Sequence, residues 1–151
     1  MTSKIRSVII LSGGFLFCLD RWLKLFSLNR WAKEKLINDW LGWLPSNNGG
    51  IAFGLPLPNG AAVALSLVLL AILFFILLKQ KNSGLGVGLW LITAGGISNL
   101  IDRIFFSHVL DYFLVWISMF NLADVMIVGG ALMALITQIS KLKSQNHNLK
   151  P

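Results

Sequence analysis

The chain has 151 residues, 56% of them hydrophobic and only 13% charged, with a mean hydropathy of +0.74. A soluble domain has about 45–50% apolar and about 25% charged residues, so this composition excludes an ordinary soluble domain and points to a single-domain integral membrane protein. The net charge of +7 comes from Lys and Arg scattered between apolar runs. That spacing argues against a nucleic-acid partner and fits the basic bias of cytoplasmic loops.

At about 20 residues per span, the length accommodates about four spans and one sizeable loop. Residues 1–7 are short and basic, and residues 8–19 are apolar over about the length of a signal-peptide core. No small-residue cleavage site follows; Asp20, Arg21 and Lys24 come instead. We read residues 5–26 as an uncleaved first span, with a cleavable signal as the alternative. The single cysteine, Cys18, precludes a disulfide within the chain and reads as a small apolar helix residue. Asp20 and Lys24 are four apart and share a helix face. They form either a simple helix-end ion pair or a support beside an active site.

Residues 27–59 form the longest polar region, punctuated by Trp31, Trp40, Trp43 and Phe53. Indole rings favour the membrane–water boundary, so this is an interfacial segment. Within it, residues 47–60 are turn-rich. Pro56 and Pro58 oppose helix, and an extended piece or hairpin is expected over residues 50–55. A plain connector is the alternative, but Asn48 and the run Ile51, Ala52, Phe53 are more specific than a connector needs.

Residues 61–78 are an unbroken apolar run interrupted only by Ser66, the clearest span. Residues 85–106 form the third. Asn99, Asp102 and Arg103 sit at i, i+3 and i+4, one face that must turn away from lipid. The fourth span covers residues 120–140. It carries Asn121 and Asp124 at i, i+3, and Gly129 and Gly130 for close approach of a neighbouring helix. The polar tail with His147 is expected to fray. With four spans both termini share one side. Seven Lys and Arg lie on that side with no acidic residue; six lie on the other with all six acids. The short basic turn at Lys79 and Lys81 places the termini in the cytoplasm and the acidic residues outside.

Three of the six acids, Asp102, Asp111 and Asp124, lie between residues 95 and 124. Two carboxylates held together do not both ionise easily; one keeps a proton while the other is a base. Such a pair can polarise a carbonyl and activate a water. Asp111 and Asp124 lie at the same outer boundary and are the candidate pair. No HExxH or GxSxG motif is present. The alternatives are a metal site from His108, Asp111 and Asp124, ordinary helix caps and ion pairs (Asp102 with Arg103), or an ion or proton path.

Taken in order, FCLDRWLK, NGGIAFG, GGISNLIDRIFFSHVLDYF and FNLADVMI make the chain resemble the lipoprotein signal peptidase (signal peptidase II) family over nearly its whole length. The resemblance implies an all-α membrane protein: a four-transmembrane-helix bundle with a small outer interfacial β-containing cradle and a short amphipathic helix. It implies an aspartic endopeptidase of the bacterial inner membrane that needs no cofactor or metal. Its substrates would be prolipoproteins cut before a diacylglyceryl-modified cysteine, in contact with membrane lipids, by a monomer. By motif, the catalytic residues are Asp111 and Asp124. Asn48, Gly50, Asn99, Arg103 and Asn121 would bind substrate or orient the pair, and Asp20, Lys24 and Asp102 would support it. Two departures stand out: Ser98 where the family usually has glycine, which would tighten helix packing, and a short stretch over residues 112–120, which would alter gating. A small proton- or ion-conducting membrane protein is the rival reading, and an inert scaffold a third.

Overall fold

The structure, a computed structural model, describes residues 3–29, 34–50, 55–80 and 83–147. Its elements run α1 (Ser3–Ser27), β1 (Lys35–Asn38), β2 (Leu41–Asn48), α2 (Asn59–Lys79), α3 (Ser83–Phe106), β3 (Val109–Val115), β4 (Ser118–Phe120) and α4 (Leu122–His147). It is mostly helical with one small sheet. Among the described residues, three helices are long and apolar enough to cross a membrane: Asn59–Lys79, Gly84–Phe106 and Leu122–Gln145.

Local chemistry sets the helix ends. Pro58 occupies the position before α2 with φ −54° and ψ 136°, and a proline there cannot extend the helix backward. α3 stops at Ser107, which takes a left-handed φ of 65° and returns its N–H to the Arg103 carbonyl at 3.1 Å. α4 opens with a reciprocal cap. The Asp124 N–H donates to Asn121 Oδ1 at 2.9 Å, and the Asn121 N–H donates to Asp124 Oδ2 at 3.1 Å. α4 therefore begins after Phe120, which belongs to β4. Over the described part of the tail the expected fray is replaced by helix, which continues to His147 through a stretch with no glycine or proline to stop it.

The sheet is antiparallel in the order β1-β2-β3-β4. β2 and β3 pair with Ser46 opposite Asp111 and Asn48 opposite Val109. The register shifts between Trp43 and Ser46, where Pro45 has no N–H to offer a ladder. Trp43 anchors the sheet to the helices. Its ring stacks on Tyr112 at 4.9 Å and meets Phe26 of α1 edge-on at 5.8 Å.

Sheet, not helix, fills the described part of the outer segment. Among the described residues between α1 and α2 there is no short amphipathic helix; residues 35–48 instead form a hairpin. Gly42 explains part of this, because a Cβ there would lie 2.6 Å from the Lys35 carbonyl oxygen, so the two strands approach too closely for a side chain. The hairpin lies upstream of the expected one. Residues 51–54, including Ile51, Ala52 and Phe53, lie outside the described residues.

α3 is the central helix and packs against α1, α2, α4 and β3. The C-terminal ends of α1 and α3 and the N-terminal ends of α2 and α4 meet beside the sheet. The Asn59 side-chain amide, for example, donates to the Arg103 carbonyl at 3.1 Å. Glycine lets α3 and α4 touch backbone to backbone. A Cβ on Gly130 would lie 2.5 Å from the Gly88 carbonyl oxygen, and one on Gly95 would lie 2.5 Å from the Ala123 carbonyl oxygen. Gly129 meets nothing within 4 Å, so of the adjacent pair only Gly130 does the packing. We expect Gly130→Ala to destabilise the protein by about 1–3 kcal/mol through overpacking. Gly129→Ala should leave stability unchanged or raise it by up to about 1 kcal/mol through helix propensity. Thermal unfolding in detergent compares the two directly.

Candidate active site

Asp20, Arg21, Lys24, Asn48, Ser98, Asn99, Asp102, Arg103, Asp111, Tyr112, Asn121 and Asp124 converge on the end of the bundle beside the sheet. Asp111 leaves β3 and is 1% exposed. Its two carboxylate oxygens each accept a side-chain amide: Asn121 Nδ2 donates to Oδ1 at 2.7 Å, and Asn48 Nδ2 donates to Oδ2 at 2.9 Å. Asp124 sits in the first turn of α4. Its Oδ1 accepts Asn99 Nδ2 at 2.8 Å, and its Oδ2 accepts the Asn121 N–H at 3.1 Å. Asn121 thus joins the two carboxylates. Its side-chain amide holds Asp111 while its backbone and side-chain oxygen cap the turn that carries Asp124.

Burial pushes the Asp111 carboxyl up to about 6, and the neighbouring Asp124 charge adds to the effect; the Asn48 and Asn121 donors and the Lys24 charge pull the other way. Desolvation is the leading cause, because a carboxylate removed from water resists ionisation.

Beneath this pair lies a cluster of buried charges. Lys24, fully buried, donates to Asn99 Oδ1 at 2.7 Å and lies 2.8 Å from Asp102 Oδ2 and 3.2 Å from Asp20 Oδ2. Asp102 also accepts Arg21 Nη1 at 2.5 Å and the Leu110 N–H at 3.2 Å. Asp20 and Lys24 therefore form a buried ion pair that is shared with Asp102. Asp102, by contrast, does not pair with Arg103. Its cations come from α1, because α3 turns Asp102 toward α1 while Arg103 reaches outward to donate from Nη2 to the Gly50 carbonyl at 2.5 Å. Gly50 in turn donates its N–H to Asn48 Oδ1 at 3.0 Å, which fixes the asparagine that holds Asp111. Among the described residues, the buried Arg103 Nη1 has no hydrogen-bond partner.

Sequence reasoning gave no site role to three residues that the structure brings into the cluster. Arg21 supplies Asp102, and its place three residues before Lys24 on the same face was the available signal. Tyr112 donates its hydroxyl to Asp20 Oδ1 at 2.9 Å. Ser98 donates to Asp20 Oδ2 at 2.6 Å and accepts from Arg21 at 3.4 Å, so its hydroxyl serves the charge cluster. His108 lies beside Phe106 with ring centroids 6.2 Å apart. Among the described residues no group of three or more His, Cys, Asp and Glu is placed to hold a metal ion. Cys18 is exposed on α1.

Both the fold and the sequence have counterparts among known proteins. A bacterial membrane enzyme solved by the in meso method at 2.3 Å resolution superposes with a TM-score of 0.79, covering 95% of this chain and 92% of that one at 22% sequence identity. The Lipoprotein signal peptidase of Mesorhizobium japonicum is 32% identical over 144 residues, which is 88% of this chain and 86% of that protein. The Lipoprotein signal peptidase of Chlorobium phaeobacteroides is 36% identical over 114 residues, 65% of this chain and 72% of that protein. The class is that of a membrane peptidase. A family model described as Signal peptidase (SPase) II matches residues 13–140, and the chain belongs to the signal peptidase II family.

The charge cluster makes a clear prediction. Lys24→Met keeps the stem of the side chain but leaves Asp20 with no cation and Asp102 with Arg21 alone. Removing one partner of a buried pair costs about 3–5 kcal/mol, and chemical denaturation in detergent should show a loss of that size.

Proposed function

We propose that this chain removes the signal peptide of diacylglyceryl-modified prolipoproteins, cutting before the lipidated cysteine, with Asp111 and Asp124 as the catalytic pair. The observation that carries this reading is Asn121, which binds both carboxylates at the buried end of the bundle. In this reading one carboxyl holds a proton and the other is ionised. The ionised group takes a proton from water as the water oxygen bonds to the scissile carbonyl carbon; the protonated group gives its proton to the carbonyl oxygen. The tetrahedral adduct then breaks its C–N bond: the amine leaves with a proton from the carboxyl that took one from water, and a hydroxyl of the adduct returns its proton to the other carboxylate, restoring the pair. The pair titrates as a unit, so protonation belongs to both residues together.

Asn48, Asn99 and Asn121 orient the two carboxyls, and Asp20, Lys24 and Asp102 hold the helices that carry them. The Nη1 group of Arg103 meets no hydrogen-bond acceptor among the described residues and is suited to a carbonyl of the substrate backbone, with Gly50 fixing the guanidinium at Nη2. The substrate's signal helix lies against the bundle, and its acyl chains remain in the bilayer among membrane lipids.

All four helices span the bacterial inner membrane in this reading. α1 carries more charge than the other three, but Asp20 and Lys24 are fully buried within the bundle and do not face lipid. The termini are cytoplasmic, the carboxylates sit near the outer face, and the chain acts as a monomer, without nucleic acid, as one peptidase domain.

Two measurements test this. Purified protein should convert a diacylglyceryl-modified prolipoprotein to its cleaved form, while folded Asp111→Asn and Asp124→Asn should not. Cleavage by either variant would remove that residue from the pair; ion flux without cleavage by the wild type would support the conducting rival. The second is a pH–rate profile of Asn48→Leu. The substitution keeps volume but removes a donor that stabilises ionised Asp111. Deprotonation becomes harder, so the alkaline limb should move to higher pH than in the wild type.

A further inference from the structure

Three N–H groups open α4, and a side chain satisfies each. Leu122 N–H donates to the Tyr112 hydroxyl at 2.8 Å, Ala123 N–H to Asp20 Oδ1 at 3.0 Å, and Asp124 N–H to Asn121 Oδ1 at 2.9 Å. The first amides of a helix have no partner within the helix, so these three bonds decide where α4 starts and how it is turned. Only one, from Asn121, is local to α4. The other two come from β3 and α1.

Asp111 and Tyr112 are neighbours on β3 and point to opposite faces of the strand. The first turn of α4 grips both faces: the Asn121 amide holds Asp111, and the Leu122 N–H holds Tyr112. Tyr112 is fully buried. Its hydroxyl accepts from Leu122 and donates to Asp20, so one oxygen ties β3 to both α4 and α1. Burial and the Asp20 charge push its titration above the usual phenol range, so the hydroxyl stays protonated and keeps donating. Asp20 receives Tyr112, the neighbour of Asp111, and Ala123, the neighbour of Asp124. It also receives Ser98, the neighbour of the Asn99 that holds Asp124.

We propose that the Tyr112 hydroxyl, acting with Asp20, is the positioning group that sets the separation of Asp111 and Asp124. It holds strand β3 and the first turn of α4 in one register. The inference rests on the peptidase reading, because it assigns Tyr112 a part in that reaction. Without the hydroxyl, β3 and the first turn of α4 would keep the β3–β4 ladder and the Asn121–Asp111 bond but lose the tie on the opposite face of the strand, so Asp111 could shift relative to Asp124. The two carboxyls would then separate and their mutual repulsion would fall. Asp111 faces Asp124 and Lys24 as charged neighbours and Asn48 and Asn121 as donors; of these, the separation from Asp124 is what Tyr112 controls.

The test uses the full chain in detergent with a diacylglyceryl-modified prolipoprotein, measuring kcat and KM across pH. Tyr112→Phe keeps the ring against Trp43 and removes only the oxygen. We expect kcat to fall about three- to tenfold, about the worth of one of the two hydrogen bonds that the oxygen makes, with KM unchanged. The pH profile should narrow, its alkaline limb moving to lower pH. Leu122→Pro gives an independent route if Tyr112→Phe does not fold. It deletes the N–H that reaches Tyr112 at the first helical position, where proline is well tolerated, and it should narrow the profile in the same way. A pH profile and kcat matching wild type in folded Tyr112→Phe or Leu122→Pro would overturn the inference, even if the unfolding temperature dropped. A folded wild type that leaves the substrate intact would overturn the peptidase reading and this inference with it, so the two failures are told apart.

Discussion

Lys24 sits between Asp20 and Asp102 with no exposure to solvent, and the remainder of the site is built upon that contact. A buried ammonium is stable only if its neighbours neutralise it and satisfy its three donors. Asp20, Asp102 and Asn99 do both. Because Asp20 and Lys24 are on α1 while Asn99 and Asp102 are on α3, meeting this requirement fixes the two helices against each other. Arg21 balances the second acid, so the cluster holds two cations and two anions and adds no net charge to the bundle interior.

The oxygens of the two supporting acids are then used a second time. Asp102 takes the backbone of Leu110, beside Asp111, and Asp20 takes the backbone of Ala123, beside Asp124. Each supporting carboxylate thus holds the chain next to one member of the candidate pair. A strand end and a helix start, which lack full hydrogen bonding of their own, are held by side chains from elsewhere in the fold. The close glycine contacts between α3 and α4 permit the approach that brings Asn99 within reach of Asp124.

A rigid lower layer suits the chemistry above it. The upper carboxyl, Asp111, is held at a raised value by burial and by its neighbour, while amide donors on both oxygens keep the ionised form accessible. Asparagine suits this role because it donates without adding a charge to a site already crowded with carboxylates. The sheet supplies one donor, Asn48, and the start of α4 the other, Asn121. The outer hairpin therefore belongs to the site and is not a mere cover.

The sequence by itself determined the membrane class, three helices long and apolar enough to cross a membrane, and the residues that gather at one end of the bundle. Those features rest on local rules: apolar run length, the i, i+3 and i+4 faces of Asn99, Asp102, Arg103, Asn121 and Asp124, and the proline before α2. The ordered motifs, and not the spacing, favour Asp111 over Asp102 as the candidate partner of Asp124. Only the tertiary structure decided who pairs with whom. Asp102 takes cations from α1 and not the adjacent Arg103, Gly129 packs against nothing while Gly130 packs against Gly88, residues 35–48 become strands, and Tyr112 reaches Asp20. Each of these depends on partners tens of residues away. Such contacts form only after helices and strands have packed, and no local periodicity encodes the rotation at which a given helix face meets its neighbour.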